Sequence, residues 1–171
     1  APFDFGATSM GYGLGAAGAA ALNVEGAGRR TISVMGDGGF WHNGLTSGVG
    51  NAVFNKSDHL IVVVDNGYSA ATGGQDILSS KAKNDKRTTK MSIEGAVRGT
   101  GVSWIRTVSN TYNLKKMKAA VREALTTSDR GPKVLIAQSE CMLNKQRRVK
   151  PQMRKKIAQG ERVVTERFGI D

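Results

Sequence analysis

Two tripeptides place residues suited to binding metal and phosphate at the ends of two apolar segments. Gly-Asp-Gly occupies 36–38, directly after the apolar run TISVM, and Asp-Asn-Gly occupies 65–67, directly after the run LIVVV. The carboxylate of Asp37, the amide oxygen of Asn66 and a backbone carbonyl from the following loop suit a hard divalent cation such as Mg²⁺, whose other positions go to phosphate oxygens. The two tripeptides therefore predict a site for a metal ion and a diphosphate group.

The chain between the tripeptides is expected to be a helix that completes this site. Residues 40–55 favour a helix despite their internal glycines. The N-terminus of such a helix directs backbone N–H groups and the positive end of its dipole towards an anion. Gly38 and Gly39 precede it and have no side chains, so a phosphate group can approach the backbone closely there.

The rest of the sequence alternates between predicted strands and helices. The strands are 31–35, 60–64, 102–108 and 134–137, and the helices are 10–23, 40–55, 92–100 and 113–127. This alternation predicts the α/β class, with a parallel sheet sandwiched by helices. Ligands bind beyond the carboxyl ends of the strands in such sheets, so Asp37 and Asn66 are expected to meet at one edge. The helix at 113–127 is expected to bury an apolar stripe formed by Leu114, Met117, Val121 and Leu125.

Composition bounds the classes of protein to which this chain can belong. The chain has 171 residues, 39% of them hydrophobic, a formal net charge of +11 and a single cysteine, Cys141. This length fits one domain with a hydrophobic core, and the longest apolar run is too short to span a membrane. A single cysteine cannot form an intrachain disulfide, so we expect a protein of the reducing cytoplasm.

The positive charge is concentrated towards the C-terminus. Residues 145–167 contain nine Lys or Arg and two Glu. We therefore divide the chain into a cofactor-binding domain at 1–143 and a basic C-terminal extension or linker at 144–171. An acidic partner surface, an anionic substrate or coenzyme A explains this extension best, and a solvated helical extension is the structural alternative. Nucleic acid is the weaker alternative, because no aromatic residues are interleaved with the basic ones.

A dinucleotide-binding motif is the main rival interpretation of the N-terminal part. Gly13, Gly15 and Gly18 fit the pattern G-x-G-x-x-G, and Asp37 follows at about the expected spacing. That motif requires a strand leading into its first glycine, and the preceding segment APFDFGATSM is a poor strand. We therefore interpret these glycines as residues that allow a helix to pack closely against the sheet.

The spacing of the two tripeptides resembles the thiamine diphosphate signature, in which Gly-Asp-Gly is followed, after a helix and a strand, by a terminal Asn. The resemblance implies the diphosphate-binding domain fold of thiamine diphosphate enzymes. It also implies that the carboxylate of Asp37, the side chain of Asn66 and the carbonyl of Tyr68 hold Mg²⁺. The family more often has Asn at the position of Asp65, which leaves the ligand position itself intact.

Further segments narrow this resemblance to the 2-oxoacid:ferredoxin oxidoreductases. The sequence TGGQ at 72–75 is similar to the segment that helps to enclose the diphosphate in that family, and MGYGLGAAGA, HNGL, NAVFNK and SEC are similar to its other motifs. Together they most resemble the thiamine diphosphate-binding domain of the large (alpha) subunit of the indolepyruvate ferredoxin oxidoreductases. The cofactor-binding residues that this resemblance implies are Met10, Gly36, Asp37, Gly38, Gly39, Asn66, Tyr68, Thr72, Gly73, Gly74 and Gln75.

The resemblance implies oxidative decarboxylation of a 2-oxo acid, namely indolepyruvate or a related aryl or branched compound. The acyl group would pass to coenzyme A, and the electrons would pass to ferredoxin through an iron–sulphur cluster elsewhere in the full enzyme. A pyrimidine-binding domain or partner subunit would supply the activating glutamate, so we expect a homo- or hetero-oligomer and an inactive isolated chain. A non-oxidative thiamine diphosphate decarboxylase and a non-catalytic or nucleic-acid-binding α/β module are the alternatives.

Single residues outside the tripeptides have both functional and structural interpretations. Met10 either supports the cofactor or is a core residue at the start of a helix. His42 is the candidate catalytic residue, in contact with the substrate carboxylate, or else a histidine on the helix surface. We interpret His59 and Cys141 as structural residues and Trp41 as a packing residue.

Overall fold

The structure is a computed structural model that describes residues 30–70, 73–81 and 85–164. The chain divides into two compact units, Ala1–Ser139 and Glu140–Asp171. The first unit contains every described strand, and the described helix of the second unit is rich in basic residues. The predicted helix at 10–23 lies outside the described residues, and the functional division between 143 and 144 stays a prediction.

Strands, α-helices and one π-helix follow one another along the described residues. In chain order they are β1 (Ile32–Gly36), α1 (Asp37–Gly39), the π-helix π1 (Phe40–Gly50), α2 (Asn51–Phe54), β2 (Leu60–Asp65), α3 (Ile93–Gly99), β3 (Trp104–Val108), α4 (Leu114–Thr126), β4 (Lys133–Gln138) and α5 (Met142–Ala158). The α/β alternation that the sequence predicted is confirmed.

The described strands form one parallel sheet in the order β1-β2-β4-β3. In the register of this sheet, Leu60 of β2 lies opposite Ile32 of β1 and Lys133 of β4. The carboxyl ends of these three strands therefore share one edge, and Asp37 and Asn66 follow neighbouring strands, as the sequence predicted. β2 and β4 are central, which explains their almost continuous apolar sequences.

Apolar side chains cover both faces of the sheet. On one face the strands pack against π1, α2 and α3, in a cluster that contains Met35, Phe40, Val49, Ala52, Ile61, Val63, Ile93, Val97, Val102, Ile105, Val134 and Ile136. On the other face α4 packs against β3 and β4, in a cluster that contains Leu60, Val62, Trp104, Ala120, Ala124, Leu135 and Ala137. The parallel sheet sandwiched by helices is therefore confirmed.

The helix that leads away from Asp37 is wound differently from the α-helix predicted at 40–55. It begins as α1, continues as π1 and ends as α2. Its internal glycines reduce the preference for α-helix, and π segments occur frequently at functional sites. Gly44 also allows π1 to lie close to β1, because a Cβ atom at this position would be 2.6 Å from the sulphur of Met35.

Helix α4 forms where it was predicted, but its buried face differs from the predicted stripe. Leu114 is 67% exposed, whereas Ala120 and Ala124 are buried. Met117 and Val121 pack against the core as expected. Alanine side chains let the helix approach the sheet closely, so the contact is centred on them, and Leu114 in the first turn is left in solvent.

The second unit contains helix α5, none of whose residues is buried. Its sequence, MLNKQRRVKPQMRKKIA, contains basic residues and no acidic ones. Arg148 pairs with Glu140 at 2.9 Å within the same unit. Among the described residues, no helix combines the length and the apolar character that crossing a membrane requires.

Candidate functional site

The carboxylate of Asp37 is the buried centre of the candidate site. Asp37 follows β1 directly and is 1% exposed. Its Oδ2 atom accepts hydrogen bonds from the backbone N–H groups of Asn66 at 2.9 Å and Gly67 at 2.6 Å. Its Oδ1 atom accepts one from the N–H group of Gly38 at 2.8 Å. This one side chain therefore joins the carboxyl ends of β1 and β2.

Burial raises the pKa of Asp37 from 3.8 to about 6. The hydrogen bonds from Gly67, Gly38 and Asn66 lower this pKa, and the negative charge of Asp65 raises it. Burial is the largest effect, because a carboxylate that loses its water is less stable in the charged form. A bound divalent cation would oppose both the burial and the repulsion from Asp65, since it would be the largest charge in the site.

The turn after β2 carries the other two predicted metal ligands. Oδ1 of Asn66 accepts a hydrogen bond from the N–H group of Tyr68 at 3.1 Å, which leaves this amide oxygen one further lone pair. Oδ1 of Asp37 likewise accepts one hydrogen bond among the described residues, from the N–H group of Gly38. Carboxylate, amide and carbonyl oxygens are the ligands that Mg²⁺ takes in proteins. The residues present therefore fit the ion, which Asp37, Asn66 and the carbonyl of Tyr68 would hold.

The predicted ligand set contains only one carboxylate. Clusters of three or more His, Cys, Asp or Glu side chains arranged to bind a metal ion are absent from the described residues. A binding site of the predicted kind does not need such a cluster, because phosphate oxygens of the ligand complete the coordination.

A tight turn lies against the Gly-Asp-Gly tripeptide. Ser69 and Gln75 form an antiparallel bridge, and the N–H group of Gly74 donates to the carbonyl of Ser69 at 3.0 Å. Gly73 and Gly74 have φ angles of 110° and 82°, which favour glycine. A Cβ atom at Gly38 would be 2.9 Å from Oγ of Ser69. Glycine at 38 therefore permits the close approach of this turn, a role that differs from direct contact with phosphate.

Two serines anchor the next part of the loop. Ser80 is fully buried, and its Oγ atom donates to the carbonyl of Gly67 at 2.6 Å and accepts from the N–H group of Ile77 at 2.9 Å. Oγ of Ser79 accepts a hydrogen bond from the indole N–H group of Trp41 at 2.9 Å. Trp41 packs against the core as predicted, and this bond also ties π1 to the loop.

A cavity of about 620 Å³ opens beside Gly38 and Ser69. Trp41, His42, Ile77, Leu78 and Arg87 are among its lining residues. The structure therefore places His42 beside the same cavity as Gly38, and its catalytic role stays a prediction. Among the described residues the Arg87 side chain has no ion-pair partner, so its charge is available to an anion in the cavity.

The remaining predicted cofactor residues differ in what surrounds them. Met10 and Thr72 lie outside the described residues. Gly36 ends β1 with a φ of −78°, and no described atom lies within 4 Å of a Cβ built there. Gly39 is buried between α1 and π1. Gln75 is exposed and pairs with the turn through its backbone.

The sequence predicts structural roles for two further residues, His59 in the first unit and Cys141 in the second. His59 immediately precedes β2, at the amino end of the sheet, and is fully buried, which lowers its pKa. Cys141 is half-buried directly before α5 in the second unit. The burial of His59 agrees with a structural role, and the structural role of Cys141 stays a prediction.

The sequence analysis missed Ser69, Ser80 and Arg87. Each lies in the loop after β2, whose residues follow no helical or strand periodicity. The hydroxyl groups of such a loop have no fixed spacing from Asp37, so only the folded loop shows which of them it brings together. A signal was available for Arg87, a basic residue in a segment already expected to border a diphosphate.

Comparisons with known proteins agree on the family of the domain. Residues 3–137 match the family model described as the C-terminal TPP-binding domain of thiamine pyrophosphate enzymes. The indolepyruvate oxidoreductase subunit IorA of Methanothermobacter thermautotrophicus is 36% identical over 118 residues, which cover 68% of this chain and 18% of that protein. Subunit IorA of Archaeoglobus fulgidus is 34% identical over 115 residues, covering 67% and 18%. The chain therefore spans about 18% of the length of these relatives.

A solved structure shares the fold. It is a 2-oxoglutarate:ferredoxin oxidoreductase from Magnetococcus marinus, determined with 2-oxoglutarate, coenzyme A and succinyl-CoA bound. The match has a TM-score of 0.59 and 18% sequence identity, and it covers 76% of this chain and 46% of that chain. The resemblance that the tripeptides and the TGGQ segment indicated is confirmed by these relatives.

Proposed function

Because this chain belongs to the family of C-terminal TPP-binding domains of thiamine pyrophosphate enzymes, we propose that it binds thiamine diphosphate through a Mg²⁺ ion at the carboxyl ends of β1 and β2. The observation that carries this proposal is the buried carboxylate of Asp37, which is bonded to the backbone of the turn that contains Asn66. A carboxylate with a raised pKa and a neighbouring acid gains stability from a divalent cation.

The residues of this chain hold and orient the cofactor. Asp37 supplies the negative charge of the metal site, and Asn66 and the carbonyl of Tyr68 supply its neutral ligands. The absent side chain at Gly38 lets the turn at Ser69 close against the tripeptide. Bound thiamine diphosphate supplies a carbon nucleophile for the keto group of a 2-oxo acid and accepts the electrons left when carbon dioxide departs.

We propose that the whole enzyme is an indolepyruvate ferredoxin oxidoreductase or acts on a related aryl or branched 2-oxo acid. The name of the IorA relatives supports this substrate class. Coenzyme A as acyl acceptor, ferredoxin as electron acceptor and an iron–sulphur cluster outside this chain complete the proposed reaction. The single cysteine supports a reducing, cytoplasmic location.

The activating glutamate comes from a pyrimidine-binding domain or partner subunit in this proposal. The 171-residue chain alone therefore provides half of the active site, and it should bind the cofactor without turning over a 2-oxo acid. His42 lines the cavity beside Gly38, and it is the proposed contact for the substrate carboxylate in the assembled enzyme.

Calorimetry on the chain tests the metal-diphosphate site directly. Thiamine diphosphate should bind in the presence of Mg²⁺ and lose most of its affinity when a chelator removes the metal. Thiamine without phosphate groups is the matched control and should bind poorly, because it offers the metal no ligand. Equal binding of thiamine and thiamine diphosphate, or affinity that does not depend on the metal, would contradict the proposed site.

A further inference from the structure

A second cavity, of about 330 Å³, lies at the carboxyl edge of β2, β4 and β3. Its polar lining residues include Asp65, which ends β2, and Gln138, which ends β4. Its other polar residues include Lys81, Lys90 and Glu94, and its apolar wall contains Met91, Ile93 and Ile136. None of these residues is among the proposed ligands of the metal ion or the diphosphate, although Asp65 immediately precedes Asn66 and its charge acts on Asp37.

The side chain of Asp65 carries an unsatisfied oxygen atom. Asp65 is 6% exposed, and its Oδ2 atom accepts a hydrogen bond from Nε2 of Gln138 at 2.7 Å. Its Oδ1 atom is buried and has no hydrogen-bond partner among the described residues. Buried polar atoms without a partner are rare, and a water molecule, an ion or a ligand is one explanation for such an atom. A carboxylate oxygen in this position favours a cationic donor.

The opposite charge is available at the mouth of the cavity. Lys81 and Lys90 are exposed lining residues, and within the described part of the chain neither ammonium group has an ion-pair partner. Lys90 is held at a φ of 69°, and its backbone N–H group donates to the carbonyl of Ser80 at 3.0 Å. The other acid of the cavity, Glu94, is already paired with Arg98 and Thr107.

We propose that this cavity is a binding site for a small zwitterion, an α-amino acid with an aliphatic side chain. The ammonium group would donate to Oδ1 of Asp65, and the carboxylate would face Lys81 and Lys90. The side chain would lie against Ile93 and Ile136, which are almost fully buried. The volume is near the lower end of the range of ligand pockets, about 300–1,000 Å³, which selects a compact ligand.

Thermal shift and calorimetry on the 171-residue chain, without cofactor, test this site with L-leucine and L-valine as probes. Both should raise the melting temperature at millimolar concentration. Leucinamide lacks the carboxylate and N-acetylleucine lacks the ammonium group, and each should bind about tenfold more weakly or worse, since each loses one charge-assisted contact. Equal binding of leucine and either analogue would overturn the proposal, as would the absence of binding by both amino acids.

Variants connect the binding to the named residues. Asp65→Asn keeps the shape of the side chain and should reduce leucine affinity by about tenfold or more. The double variant Lys81→Gln and Lys90→Gln should reduce leucine affinity by a similar factor. Because both lysine side chains are exposed, this double variant should fold and serves as the test if Asp65→Asn does not. Lys115→Gln and Lys118→Gln on α4 form the matched control and should leave it unchanged. Undiminished binding in the cavity variants would reject the site.

Binding of thiamine diphosphate is measured separately on the same samples. Leucine binding that depends on Asp65, in a chain that does not bind the cofactor, would support this inference and contradict the proposed function. Cofactor binding without leucine binding would support the proposed function and contradict this inference. The two proposals therefore succeed or fail independently.

Discussion

The carboxylate of Asp37 accepts a hydrogen bond from the backbone N–H group of Gly67 at 2.6 Å. The residue that we propose as a metal ligand therefore also holds the turn after β2 in place. The same oxygen also accepts from Asn66 at 2.9 Å. Substitution of Asp37 therefore has two separable effects, one on the metal ion and one on the turn that carries the other ligands.

Asp37→Ala should abolish Mg²⁺-dependent binding of thiamine diphosphate, because it removes the only anionic ligand of the proposed set. It should also lower the free energy of unfolding by about 1–3 kcal/mol for each buried N–H group left without an acceptor. Asn66→Ala should weaken cofactor binding less, since a neutral amide contributes less to a hard cation. Calorimetry and urea unfolding measure the two effects, with exposed Asp129→Ala as the control. Unchanged cofactor affinity in Asp37→Ala would show that the metal site lies elsewhere.

The metal affinity should depend on pH through Asp37. Its folded-state pKa of about 6 is above the ordinary value of 3.8, so between these values the folded chain binds the proton more tightly than the unfolded chain does. The contribution of Asp37 to the free energy of unfolding of the metal-free chain should therefore fall as the pH rises from 3.8 to about 6. Mg²⁺ needs the ionised carboxylate, so its affinity should rise over the same window and level off above it.

Urea unfolding and Mg²⁺ titrations across this window measure both slopes. His59 contributes the opposite slope to stability, because burial lowers its pKa from 6.5 and the unfolded chain gains that proton first as the pH falls. The difference between the wild-type chain and Asp37→Asn isolates the carboxylate. An identical pH dependence in both proteins would rule out Asp37 as the titrating group.

The two glycines of the tripeptide should tolerate substitution differently. A Cβ atom at Gly38 would meet Oγ of Ser69 at 2.9 Å, whereas at Gly36 none of the described atoms is within 4 Å. Gly38→Ala should lower the free energy of unfolding by about 1–3 kcal/mol through overpacking, and Gly36→Ala should change it by less than about 0.5 kcal/mol. Urea unfolding without cofactor measures both.

A double variant tests the cause of this difference. Adding Ser69→Gly to Gly38→Ala removes the atoms in closest contact and should restore part of the lost stability, which a double-mutant cycle quantifies. Additive effects of the two substitutions would show that the turn at Ser69 does not contact the tripeptide as described.

Arg87 should contribute an anion-binding charge to the cavity beside Gly38. Arg87→Gln should weaken thiamine diphosphate binding by roughly tenfold and should make the remaining affinity less sensitive to salt. Lys86→Gln removes an adjacent charge that does not line the cavity and is the matched control. If both variants bind the cofactor with wild-type affinity at low salt, Arg87 has no role in holding it.

Much of the fold could be predicted from the sequence because its signals are local. The apolar run LIVVV identifies a buried parallel strand and TISVM a second, half-exposed one, and the polar residues that follow them mark the ligand-binding edge. The positions of Asp37 and Asn66 on neighbouring strands follow from these two facts. A small-residue helix face was harder to predict, because Ala120 and Ala124 carry little hydrophobic signal although both are buried in the core cluster.

Other features depend on contacts between distant parts of the chain. β4 lies between β2 and β3 in the sheet. This order depends on how complete strands pack together, and the sequence of a single strand does not indicate it. The raised pKa of Asp37 depends on its burial and on Asp65, which no spacing rule reveals. The close approach of π1 to Met35 at Gly44 is likewise a contact between separate elements.

The position of β4 determines when this domain can fold during synthesis. β4 is the last described strand to leave the ribosome, yet it lies between β2 and β3. Until Gln138 has emerged, β2 has an unpaired edge, and exposed edges of apolar strands are sites of aggregation. A nascent chain that stops before Lys133 would lack the only strand joining β3 to the rest of the described sheet, whereas one released after Ser139 would contain all four strands. Completion of the sheet is therefore the last step in the synthesis of the described strands, and until then the edge of β2 stays exposed to aggregation.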